Sequence, residues 1–214
     1  MRSIRIVQIE NLFLILLLVL HCVACADRVE APKWESLSTD IQLNPDDRTL
    51  TLGRIREILG HRGYTHQDSV NQSTQWIDFP RRSGLSEGPA AVRLGFYPLS
   101  SEYQPREDSC PQEVIILEPF KGSIHGIHVG SLHEDVVELA QSRLHGDLSQ
   151  IKHDIRKGNN VGSQFRWSDY DHWWFKWYES EGKVIEVSMS FWNPDWHLVP
   201  ASTQPSVRTT SQRA

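Results

Sequence analysis

Cysteine is scarce: three of 214 residues, namely Cys22, Cys25 and Cys110. Two of them fall in the first 26 residues, so no internal disulfide is expected in the remainder, where Cys110 stands alone. It lies in the polar stretch Glu107-Asp108-Ser109-Cys110-Pro111, whose acidic neighbours work against a nucleophilic thiolate. The signatures of common catalytic sites are missing as well. There is no G-x-S-x-G, no Walker loop, no G-x-G-x-x-G and no HExxH, and Gly122, Gly126 and Gly130 recur without the Lys-Ser/Thr that a phosphate cradle needs. Nor is there a basic stripe. The 22 Lys and Arg are scattered against 27 Asp and Glu, for a net charge of −5, which argues against nucleic acid as a partner.

What is present is enough to build a core. Hydrophobic residues make up 39% of the chain, including eight Trp and seven Phe, which excludes disorder throughout. The first strong pattern is N-terminal: Arg2 and Arg5 precede an apolar run over residues 12–20, and small residues follow at Ala24 and Ala26. That is the tripartite layout of a secretory signal peptide over residues 1–26. Gln8, Glu10 and Asn11 on one side and Asp27 on the other leave about 15 apolar residues, short of the roughly 20 that cross a bilayer. Two processing routes compete. Ala24-Cys25-Ala26 fits signal-peptidase cleavage before Asp27, whereas Cys22-Val23-Ala24-Cys25 resembles a bacterial lipobox, with cleavage before Cys25 and its acylation. Membrane contact, on this reading, comes only through such a lipid anchor.

Residues 27–47 read as a polar tether and residues 200–214, almost entirely Ser, Thr, Gln, Arg and Pro, as a disordered tail. Between them the periodicity suggests a duplication, with a first α+β unit over 48–108 and a second over 109–199. In the first, Leu52, Ile55, Ile58 and Leu59 form a short amphipathic helix closed by Gly60. In the second, Ser131 and Glu134 read as a capping box ahead of Val136, Leu139 and Ala140, and Leu148, Ile151 and Ile155 as a second, weaker helix.

Strand patterns are richer. Residues 75–79 and 91–97 alternate so that Phe79 opposite Val92 also sets Ile77 opposite Leu94 and Asp78 opposite Arg93. Residues 114–117 supply a further strand. Residues 172–178 and 184–192 read as a hairpin around the loop Glu179-Ser180-Glu181-Gly182-Lys183, with Tyr178 opposite Val184 and Trp177 opposite Ile185. That register pairs Lys176 with Glu186 on the other face. The fold class expected is α+β: a tandem pair of small helix-plus-antiparallel-sheet units, with the helices packed on one sheet face. Gly126-Ile127-His128-Val129-Gly130-Ser131 leading into Glu134-Asp135-Val136-Val137-Glu138-Leu139, and the Gly182-Lys183-Val184-Ile185-Glu186-Val187 return, resemble small bacterial envelope lipoproteins of the outer-membrane-assembly type. The duplicated unit resembles beta-lactamase-inhibitory-protein-like folds. The resemblance implies a non-enzymatic binding or scaffolding module and transfers no catalytic residue.

The chemistry-bearing residues weigh the same way. His125-x-x-His128 with His133 and Glu134 is the best metal candidate, but Glu134 is more simply used in a helix cap and the spacing matches no standard zinc pattern, so neither metal nor cofactor is expected. Asp169, Asp171 and His172 sit where turn formers belong. Six tryptophans, Trp167, Trp173, Trp174, Trp177, Trp192 and Trp196, fall within thirty residues. One sheet face cannot bury them all; Trp173 and Trp177 are expected in the core, and Trp174, Tyr178 and Trp192 on the outer face as a binding surface. The function expected is an exported binding or scaffolding protein, anchored at the outer membrane or periplasmic face or else secreted, that presents an aromatic sheet face to a protein of the cell envelope. A secreted or periplasmic hydrolase or metal-dependent enzyme, and an inhibitor of an extracellular enzyme, are the alternatives. The intact mass of protein from a bacterial membrane fraction is expected to start at an acylated Cys25 or at an unmodified Asp27; retention of residues 1–20 contradicts both.

Overall fold

The computed structural model describes residues 31–67, 74–82, 90–97, 104–157, 160–167 and 172–191. The signal peptide, Cys25, Trp192, Trp196, Asp169, Asp171 and the tail lie outside the described residues. The fold is α+β, and its sheet is antiparallel. Helix α1 (Leu52–Leu59) precedes β1 (Tyr64–Gln67), β2 (Gln75–Pro80), β3 (Ala90–Phe96) and β4 (Glu113–Leu117). A two-stranded ribbon, β5 (Ser123–Ile124) and β6 (Ile127–His128), leads into α2 (His133–Arg143). Then come β7 (Lys152–Lys157), β8 (Asn160–Arg166), β9 (Trp173–Ser180) and β10 (Lys183–Phe191). Eight strands form one sheet in the order β1-β2-β3-β4-β10-β9-β8-β7.

Local sequence explains the elements. Thr51 caps α1 by accepting from the Arg54 N–H, and Gly60, at φ 60°, turns the chain left-handed so that its N–H reaches the last carbonyls of the helix. Gly53 lies inside this helix. A side chain there would press on the carbonyl of Glu107, 3.1 Å from the Cβ position, where the 107–109 loop accepts the first N–H groups of the helix. At α2 the expected cap is shifted. Leu132 is the N-cap residue, and Asp135, not Glu134, accepts its N–H at 2.8 Å. Ser131 instead accepts from the His128 N–H. The second helix expected around Leu148, Ile151 and Ile155 does not form. Asp147 accepts from the Ser149 N–H and hydroxyl and holds a single 3-10 turn, Leu148–Gln150, after which the chain enters β7. A three-residue apolar spacing fits a helix and a turn-plus-strand equally well.

The core lies on one face of the sheet. Leu52, Ile55 and Leu59 of α1 and Val136 and Ala140 of α2 join Ile77, Leu94, Phe175 and Val187 in a single buried cluster. Phe165 stacks on Phe175 at 5.4 Å, and Trp167 on Phe175 at 5.8 Å, so β8 and β9 carry an aromatic layer. The stretch expected as a tether is part of this packing. Trp34 is buried and donates its indole N–H to the Pro80 carbonyl at 3.1 Å, and Leu43 is fully buried, held by backbone hydrogen bonds between residues 41–43 and Ser123. Two anchors in a polar segment suffice to dock it.

The register of β2 on β3 is the expected one: Phe79 faces Val92, Ile77 faces Leu94 and Asp78 faces Arg93. In the β9–β10 hairpin the register differs by two residues from expectation. Trp177 faces Val187, Phe175 faces Met189 and Glu186 faces Tyr178, so Lys176 meets Ser188 rather than Glu186. The cause is the turn. Glu181 and Gly182, at φ 54° and 72°, make a tight two-residue turn in place of the five-residue loop, and the ladder skips Ile185 between Val184 and Glu186. The tight turn alone shifts the register by one, which sends Glu186 to the Trp177 side; the bulge at Ile185 adds the second step and restores the faces, because side chains alternate with a period of two. Deleting Ile185 is therefore expected to replace the bulge by a regular ladder that keeps Glu186 opposite Tyr178 and keeps cooperative thermal unfolding, and Ile185→Ala, which keeps the bulge, to cost about 1 kcal/mol. A deletion variant that loses cooperative unfolding contradicts the reading of Ile185 as the extra residue.

Candidate functional site

The face opposite the core is built by the same alternation. Across the sheet, Trp76 of β2 faces Gly95 of β3, which faces Glu113 of β4, then Ser190 of β10 and Trp174 of β9. A parallel row runs Asp78, Arg93, Ile115, Ser188, Lys176 and Gln164, ending on Lys152 of β7. A third places Leu117, Glu186, Tyr178 and Gly162 side by side. Ile115 and Tyr178 are buried yet stand apart from the core cluster, which marks them as members of this second face. Trp76 and Trp174 are half-buried and flank a low middle of Gly95, Ser188 and Ser190. Four strand spacings of about 4.8 Å separate them, roughly 19 Å in all.

Two aromatic rings lie across the strands rather than standing away from them. A Cβ at Gly95 would lie 3.1 Å from the Trp76 ring, and one at Gly162 would lie 2.6 Å from the Tyr178 ring and 2.4 Å from the Trp177 carbonyl. Glycine is required at both positions by this close approach, and the rings become flat platforms. Cations sit on them: the Arg93 guanidinium over Trp76 at 4.8 Å, the Lys152 ammonium over Trp174 at 5.3 Å and the Lys157 ammonium over Tyr178 at 5.8 Å. Carboxylates are matched to neighbours. Asp78 pairs with Arg93 at 2.9 Å, Glu186 with Lys157 at 2.6 Å, and Glu113 accepts from the Tyr97 hydroxyl. Burial pushes the Tyr178 phenol above its ordinary value, and the charges of Glu186 and Glu113 add to the shift, so the ring stays neutral throughout the physiological range.

The expected site residues thus divide. Trp174 and Tyr178 lie on the outer face, together with Lys176 and Glu186, but Tyr178 is buried there and of the two only Trp174 is open to solvent, while Trp173 and Trp177 are buried in the core. Trp167 also belongs to the core, stacked 4.1 Å from the His125 ring and capped by the Arg143 guanidinium at 4.3 Å. Trp76 and Lys152 are additions. Parity from the Asp78–Arg93 pair already places Trp76 outside, but nothing in the sequence marks Lys152, which falls in the stretch read as a helix.

The histidine segment does not converge. His125 sits 2.8 Å from Asp46, His128 meets the Ser131 hydroxyl at 3.1 Å, and His133 reaches Glu179 at 2.8 Å. Among the described residues no group of three or more His, Cys, Asp or Glu is placed to hold a metal ion. Cys110 is half-buried, its thiol donating toward the Arg48 carbonyl at 3.3 Å; burial first, and then Asp47 and Asp108, push its pKa up despite the opposing charge of Arg48. That is the reverse of an activated thiol. No helix of the described residues is long and apolar enough to cross a membrane. No protein-family model, curated protein or solved structure matches the chain.

Proposed function

We propose that this is an exported, envelope-anchored or secreted, non-catalytic binding or scaffolding protein that presents the outer face of its sheet to a protein partner. The observation that carries the reading is the division of labour across the sheet: one face holds the core, while the other carries the half-buried Trp76 and Trp174 with no part in that core, and Tyr178 buried beneath Lys157. Aromatic residues with a polar handle on a preformed surface are the residues that dominate protein-binding energetics. The sheet edges are poor alternatives for recognition. Strand β1 has four residues, and β7 is broken by a bulge and carries Lys152 and Lys157, both features that discourage strand addition.

The tandem organisation is part of the proposal. Each half is a helix followed by a four-stranded meander, the first running past the expected boundary at 108 to end on β4, and the last strands of the two meanders meet at the centre. The resemblance to envelope lipoproteins of the assembly type and to beta-lactamase-inhibitory-protein-like folds supports the same non-enzymatic class, and the N-terminal export pattern supports the compartment.

The test compares two tryptophans of one strand. Trp177→Ala is expected to lower stability by about 3 to 5 kcal/mol through a core cavity. Trp174→Ala is expected to keep the parental melting temperature while losing about 2 kcal/mol or more in binding to proteins retained from envelope extracts. If Trp174→Ala unfolds the protein as badly as Trp177→Ala, the outer face is structural and the reading fails.

A further inference from the structure

The outer face has an asymmetry of charge that the docking reading does not require. Among the described residues its cations are Arg93, Lys152, Lys157, Arg166 and Lys176, and its carboxylates Asp78, Glu113 and Glu186. The excess is positive on a chain whose net charge is −5, so it is local. All three carboxylates are engaged: Asp78 by Arg93, Glu186 by Lys157 and Glu113 by Tyr97. Lys152 and Lys176, by contrast, meet no carboxylate among the described residues. Gln164 lies between them, facing both, so the two lysines stand two strand spacings apart, about 10 Å. The Trp174 ring lies under the Lys152 ammonium, one register step along β9 from Lys176's row.

We propose that the partner docks through an acidic segment, with carboxylates set against Lys152 and Lys176 and an apolar side chain resting on Trp174. This inference rests on the docking reading above and names the chemistry of the partner. Two lysines flanking an amide, beside an aromatic platform, are complementary to two carboxylates and a hydrophobe, and a charge excess of this kind steers encounter and selects against basic surfaces. A protein segment fits better than a polyanion. A uniformly anionic chain laid across the face would run over Asp78, Glu113 and Glu186, whereas a folded partner can keep its own carboxylates to the β7–β9 end. The size also suits a protein: eight strands span about 34 Å at about 4.8 Å per gap, the dimension of an interface of about 800 Å² per side.

A random peptide library selected on the purified protein tests both layers. Sequences that bind are expected to be rich in Asp and Glu, to be weakened by salt, and to lose at least about tenfold in affinity on Lys152→Glu/Lys176→Glu. Lys152→Arg/Lys176→Arg is expected to keep binding, and all variants to keep the parental melting temperature. Selected peptides that need Trp174 but carry no acidic excess overturn the acidic partner and leave the docking face standing. Peptides that bind Trp174→Ala as well as the parent, or no enrichment at all, overturn the docking face itself. Heparin binding as tight as that of the selected peptides, lost in the same double variant, overturns the protein partner in favour of a polyanion.

Discussion

The pairing of β4 with β10 is the interaction on which the remainder of the molecule depends. Five residue pairs, from Glu186 opposite Leu117 to Ser190 opposite Glu113, zip the last strand of the first meander to the last strand of the second. Without that ladder there would be two four-stranded sheets, each with an open edge and half a core. With it, Val114, Ile116, Val187 and Met189 lie side by side at the middle of one cluster that both helices cover. Helix propensity contributes little to this arrangement: α1 has eight residues, too few to be stable alone, and is held by the burial of Leu52, Ile55 and Leu59.

A sheet covered on one side must do something with the other. Here the second face is neither simply hydrophilic nor a second core. Its middle is low, with Gly95, Ser188 and Ser190, and its aromatic rings lie flat against glycines with cations above them. Each cation–ring contact contributes about 0.5 to 1 kcal/mol when exposed. Flat, prearranged rings also lose little rotational freedom when a partner covers them, which is why such platforms suit recognition. The Lys157–Glu186 pair, with the carboxylate buried beside the neutral Tyr178 phenol, keeps the third row in register with the other two.

Much of this was legible in residue order, and where it failed the reasons are local. The β2–β3 register follows from alternation plus one charge pair, Asp78 with Arg93, and both were sufficient. The β9–β10 faces were also legible, but not the partners. A period of two tolerates an even slip, so the turn at Glu181-Gly182 and the bulge at Ile185 moved every pair while leaving Trp173 and Trp177 inside and Trp174 outside. Strands β7 and β8 were opaque because their apolar residues are few: Ile155 in one, Val161 and Phe165 in the other, and Val161 remains exposed. Their assignment comes from pairing with β9, a non-local fact. The same holds for residues 31–47, whose average polarity conceals the anchoring of Trp34 and Leu43.

The central claim is that alternate residues of β9 are divided between a packed core face and an accessible outer face, a division that the proposed recognition requires. Hydroxyl-radical footprinting of the purified protein, read residue by residue by mass spectrometry, measures this directly. Trp174 and Trp76 are expected to oxidise readily, with Trp173 and Trp177 protected until the protein is unfolded. Protection of Trp174 equal to that of Trp177 in the folded protein would contradict the account.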